Sequence, residues 1–138
     1  KNMRTLLWLD DIRNPFIGDW LLQYSPDYYY REHFAQQVIW VKNYKDFCKW
    51  ITENGLPEII CFDHDLADRY YDNQTQSEHT IWHEKTGMDC AHWLVNYCID
   101  NDVDLPQWKI QSANEVGKEN IDKLLKNYLK HKNLKNED

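Results

Sequence analysis

Strands alternating with helices predict an α/β protein, a three-layer α/β/α sandwich around a short parallel sheet of about four strands. Two observations carry this expectation. The runs Leu6-Leu7-Trp8-Leu9 and Ile59-Ile60-Cys61-Phe62 contain no polar residue, which suits strands covered on both faces. After them, apolar residues recur at helical spacing, most clearly as Met88, Ala91, Leu94, Val95 and Cys98.

Taken in order, residues 4 to 9 form the first strand. Residues 12 to 36 have two prolines, one glycine and the cluster Tyr28-Tyr29-Tyr30 but no clean period, so an ordered excursion with one short helix is expected. Gln37 to Val41 is the second strand. Asn43 can cap a helix running through Asn54, with Asp46 in its first turn, Phe47, Trp50 and Ile51 facing inward, and Gly55 and Pro57 stopping it. Glu58 to Phe62 is the third strand. Residues 67 to 85 are polar and aromatic without periodicity, which predicts a long loop or lid. A helix starts at Gly87, and Trp108 to Ser112 makes a fourth strand. The last helix carries Ile121, Leu124, Leu125, Tyr128 and Leu129 on one stripe, and the charged tail from Lys130 to Asp138 is expected to fray. No repeat and no second domain is visible in residues 1 to 138.

Composition narrows the function classes. The formal charge of -7 argues against tracking long nucleic acid, which needs a basic stripe, but allows a small phosphorylated ligand or an RNA end. Cys48, Cys61, Cys90 and Cys98 form no CxxC pair and sit in apolar segments, as free thiols of a reducing compartment do. No apolar run approaches the ~20 residues of a membrane span, and no signal pattern precedes Met3. A soluble, cytoplasmic protein is expected.

The chemistry concentrates at strand ends. The first strand runs into Asp10-Asp11 and the third into Asp63-His64-Asp65. Asp also closes strands because it favours turns, but three ionisable residues directly after a buried strand have no packing purpose. In open α/β sheets this carboxyl edge is where ligands bind. Asp10, Asp11 and Asp63 are candidate hard oxygen ligands for Mg²⁺ or Mn²⁺, with Asp65 a further ligand or a residue that orients His64. His64 is the candidate acid or base. Thr86 and Gly87 open a helix whose amides can accept an anion or serve only as a plain cap. Gln111, Ser112 and Asn114 end the fourth strand with small polar donors suited to a phosphate, while Arg13 and Lys118 supply positive charge. His79 and His83 lie in the lid without a helical period and are expected to be solvated. Tyr70, Tyr71 and Trp82 of the same segment can stack on a base.

These residues, taken together, resemble a known family. Leu-Trp-Leu-Asp-Asp-Ile-Arg-Asn-Pro (7 to 15), Phe-Asp-His-Asp-Leu (62 to 66), Thr-Gly-Met-Asp-Cys-Ala (86 to 91) and Ser-Ala-Asn-Glu-Val-Gly-Lys-Glu-Asn-Ile (112 to 121) are similar to the motifs of the cyclic-phosphate-processing receiver-like domains. The resemblance covers almost the entire chain. It implies a receiver-like, flavodoxin-like fold, with motif positions on Asp10, Asp11, Asp63, His64, Asp65, Ser112 and Asn114. Family members commonly carry His where this chain has Gln111, and Asn-Pro where it has Asn114-Glu115. The Lys-Pro that follows the last strand of signalling receivers is missing.

The resemblance implies a metal-dependent phosphoesterase, acting on the 2′,3′-cyclic phosphates of RNA ends or on cyclic nucleotides. In that reading Asp63, His64 and Asp65 are catalytic, and Thr86, Gly87, Gln111, Ser112 and Asn114 hold the phosphate. Two other classes stand beside it: a non-catalytic binder of nucleotides or RNA ends, and a signalling receiver phosphorylated on Asp63. A protein-interaction domain using the surface aromatics near Trp20 and Tyr28 to Tyr30 is a further alternative.

Overall fold

The structure, a computed structural model, describes residues 4–17, 36–63, 85–111 and 114–136. Most of the expected excursion over 12 to 36 and of the lid over 67 to 85 lies outside these residues, as do His64, Asp65 and Ser112.

The described chain runs β1 (Arg4–Leu9), β2 (Gln36–Val41), α1 (Tyr44–Asn54), β3 (Ile59–Phe62), α2 (Gly87–Asn101), β4 (Gln107–Ile110) and α3 (Glu115–Asn136). All four strands are parallel, in the order β2-β1-β3-β4. After β1 the chain moves to one side of the sheet, and after β2 it crosses to the other. The point of reversal therefore lies between β1 and β3, where an α/β sheet opens a crevice at its carboxyl edge. This is the receiver-like α/β arrangement that the motifs imply.

Strand register sorts the core into two faces. Pairing of Leu7 with Ile60, and of Leu9 with Val41, puts these side chains on one face with Phe62. There they meet Phe47 and Ile51 of α1, Cys90, Ala91, Leu94 and Cys98 of α2, and Ile121 and Leu125 of α3. Leu6, Trp8, Ile59 and Cys61 project to the opposite face and are equally buried. Burial on both sides explains why β1 and β3 read as continuous apolar runs rather than as alternating ones. β4 is different: Trp108 and Ile110 pack inward, while Gln107 and Lys109 are exposed.

Local signals set the helix ends. Asn43 caps α1 by accepting from Asp46 N at 2.8 Å, and Gly55 ends it at φ 87°, where a side chain would be strained. α2 ends on Asp102, in the left-handed region that Asp tolerates. α3 continues past Lys130 to Asn136. Lys132 Nζ reaches back to Val103 O at 3.3 Å and Asp104 at 3.0 Å, tying the last turns to the loop before β4. Leu129, expected on the packed stripe, is 38% exposed instead. None of the four cysteines forms a disulfide, and burial pushes the Cys48 and Cys98 thiols up to about 11. Among the described residues, no helix is long and apolar enough to cross a membrane.

Candidate functional site

The site is built on the residue that follows each central strand. Asp10 follows β1 and is fully buried; Asp63 follows β3 and is 4% exposed. Asp11 is half-buried beside them. One carboxylate oxygen from each of Asp10, Asp11 and Asp63 lies within 4.8 Å of the others. Opposed ligands of a bound Mg²⁺ stand about 4.2 Å apart, twice the usual metal–oxygen distance. At up to 4.8 Å the three oxygens stand somewhat wider than that, so they are grouped closely enough to be candidate ligands but are not in a coordinating arrangement.

Asp10 is held at every polar atom. Its N–H donates to Val41 O at 3.1 Å, and its carbonyl accepts the Trp40 indole N–H at 2.7 Å. Oδ1 accepts the backbone N–H of Ile12 at 3.0 Å and of Arg13 at 2.9 Å, the short-range turn that Asp favours. Oδ2 accepts Arg13 Nη1 at 3.0 Å and Gln111 Nε2 at 3.3 Å. The turn is pinned at its far end too, because the Trp8 indole donates to Arg13 O at 2.8 Å. The same Arg13 guanidinium lies 4.0 Å from Asp63 Oδ2 and so bridges the ends of β1 and β3.

Gln111 does not face outward to a phosphate. It is fully buried, with its backbone N–H on Phe62 O at 2.8 Å. Its Nε2 donates both to Asp10 and to Leu9 O at 3.1 Å, which fixes the amide orientation because a flip would oppose oxygen to oxygen. Oε1 is buried and has no hydrogen-bond partner among the described residues. Gln111 therefore braces the ends of β4 and β1.

Thr86 and Gly87 form a cap, one of the two readings that the sequence left open for them. Thr86 Oγ1 accepts Met88 N at 3.1 Å and Asp89 N at 3.4 Å, while Thr86 N donates to Asp89 Oδ2 at 2.8 Å. This reciprocal capping box uses the amides of the first turn, and Asp89 already places a carboxylate at the positive end of the helix. Gly87 is buried. Asn114 sits at the start of α3, its Oδ1 accepting Gly117 N at 2.9 Å and its carbonyl accepting Lys118 N at 2.9 Å.

The sequence alone does not reveal the two indole bonds or the depth of Arg13's engagement. Trp8, two residues before Asp10, is the signal that was available; Trp40 lies on β2, which runs into Lys42 and gives none. His64, Asp65 and Ser112, named as candidates from the sequence, lie outside the described residues.

A parallel sheet ordered β2-β1-β3-β4, with an acidic pocket at its point of reversal, defines a receiver-like α/β domain. The comparison with known families agrees: the family model described as the cyclic-phosphate processing receiver domain matches residues 5–127. The chain belongs to that family. Neither the curated proteins nor the solved structures gave a significant match.

Proposed function

We propose that this chain is a metal-dependent phosphoesterase that opens cyclic phosphates, either 2′,3′-cyclic RNA ends or cyclic nucleotides. The observation that carries the reading is the trio of carboxylate oxygens within 4.8 Å at the carboxyl edge of β1 and β3. Asp10, Asp11 and Asp63 would hold Mg²⁺ or Mn²⁺, which when bound supplies Lewis acidity to a phosphate oxygen. Arg13 contributes the positive charge already present at the pocket. His64, next in the chain to Asp63, takes a proton from the attacking water and returns one to the ring oxygen that leaves. One P–O ring bond breaks as the new P–O bond to water forms, leaving a phosphomonoester. Ser112 and Asn114 would hold the non-bridging oxygens, and the lid residues 67 to 85 would exclude bulk water.

A second reading, a non-catalytic binder of nucleotides or RNA ends, is favoured by Gln111. Its amide cannot transfer a proton and is committed to Leu9 and Asp10. Incubation with 2′,3′-cyclic mononucleotides and a panel of cyclic di- and oligonucleotides separates the two. Ring opening that requires Mg²⁺ or Mn²⁺, stops with chelator and is lost in Asp63→Asn supports the enzyme. Binding without turnover, surviving His64→Ala, rejects the enzyme in favour of the binder.

A further inference from the structure

The Asp10 carboxylate accepts four hydrogen bonds, two on each oxygen, so an ion can coordinate it only if one donor leaves. Three of those donors are fixed. The Ile12 and Arg13 amides belong to a turn clamped at both ends by indoles, Trp40 on Asp10 O and Trp8 on Arg13 O. The Gln111 amide is fully buried and held a second time by Leu9 O. The fourth donor, the Arg13 guanidinium, rides on a long flexible stem and its side chain is 21% exposed. It also lies between the two carboxylates, 3.0 Å from Asp10 Oδ2 and 4.0 Å from Asp63 Oδ2.

We propose that Arg13 is the resident cation of the acidic pocket, and that a divalent ion enters only by displacing its guanidinium from Asp10 and Asp63. Arg13 thereby sets the pocket's metal affinity. This rests on the metal reading above, and goes beyond it by assigning the exchange to one side chain. Without an ion, the Arg13 guanidinium offsets part of the negative charge of Asp10 and Asp63. With an ion, the same compensation comes from the metal. The backbone need not move, because the Arg13 carbonyl stays on the Trp8 indole.

Binding of Mn²⁺ alone, followed by electron paramagnetic resonance at fixed ionic strength, tests this in wild type, Arg13→Gln and Asp63→Asn. Removing the competing cation is expected to tighten binding about tenfold in Arg13→Gln, roughly the worth of one charge-assisted hydrogen bond. Asp63→Asn is expected to lose the site, which places the bound ion in this pocket. Should Arg13→Gln not fold, side-chain NMR of wild type carries the test. The Arg13 Nε–H should lose exchange protection and shift on saturation with Mg²⁺. Equal or weaker Mn²⁺ binding in Arg13→Gln, or an Arg13 resonance unmoved at saturation, overturns the exchange while leaving the metal reading intact. No Mn²⁺ binding in either wild type or Arg13→Gln overturns both.

Discussion

Replacing Trp8 with Phe tests whether the core and the candidate site are one mechanical unit. Trp8 is fully buried among Leu6, Ile59 and Cys61, with Val38 and Trp40 packed against them. Phenyl for indole removes about two buried carbons, worth about 1.5 kcal/mol together. It also removes the 2.8 Å bond to the Arg13 carbonyl, in a part-buried turn where losing a donor costs about 1 kcal/mol or slightly more. The expected loss is about 2.5 to 3 kcal/mol, or roughly 10 °C in Tm for a domain of this size. Urea unfolding followed by circular dichroism reads the free energy directly. Trp40→Phe removes the other clamp on the same turn, the bond to Asp10 O. The double variant should therefore be non-additive by about 0.5 kcal/mol or more. A loss below about 1 kcal/mol for Trp8→Phe, or strict additivity with Trp40→Phe, would refute the claim that the two indoles hold one turn.

Two further outcomes follow from the helices. Thr86→Ala removes the hydroxyl that satisfies Met88 N and Asp89 N, and is expected to cost about 1 to 2 kcal/mol in urea unfolding. Inorganic phosphate should not stabilise wild type more than the variant if this helix end is a cap and not an anion site. Asp122 tests the acid limb. Burial pushes its carboxyl up, but hydrogen bonds from Lys126 and Trp108 outweigh this and hold it below its ordinary 3.8. A pKa lower folded than unfolded stabilises above the unfolded value, and that contribution disappears as pH falls through the folded one. Asp122→Asn should therefore flatten the decline of the urea midpoint below about pH 4 relative to wild type. An unchanged slope would show that the Trp108 and Lys126 bonds do not operate in solution.

Much of the fold was legible because its signals are local. Asn43 three residues ahead of Asp46, Gly55 after the last turn and the apolar runs of β1 and β3 each act within one turn or one pleat. The capping box at Thr86 was equally local: Thr-Gly-Met-Asp carries an acid three residues after the cap. Of the two readings open for Thr86-Gly87, anion cradle or plain cap, the carboxylate of Asp89 supports the cap. The inward turn of Gln111 was not legible, because its partner Asp10 lies 101 residues away in the chain. The same holds for Trp40, 30 residues from the carbonyl it binds.

The sequence by itself determined the α/β class, the order of the elements and the delivery of Asp10, Asp11 and Asp63 to one sheet edge. Period and punctuation decide those, and both are properties of neighbouring residues. Only the tertiary structure decided what each side chain at that edge does. Parallel register brings the ends of β1, β3 and β4 together, so that Arg13 bridges two carboxylates and Gln111 braces one. A buried carboxylate takes whatever donors the fold places within about 3 Å, and spacing along the chain does not encode that choice.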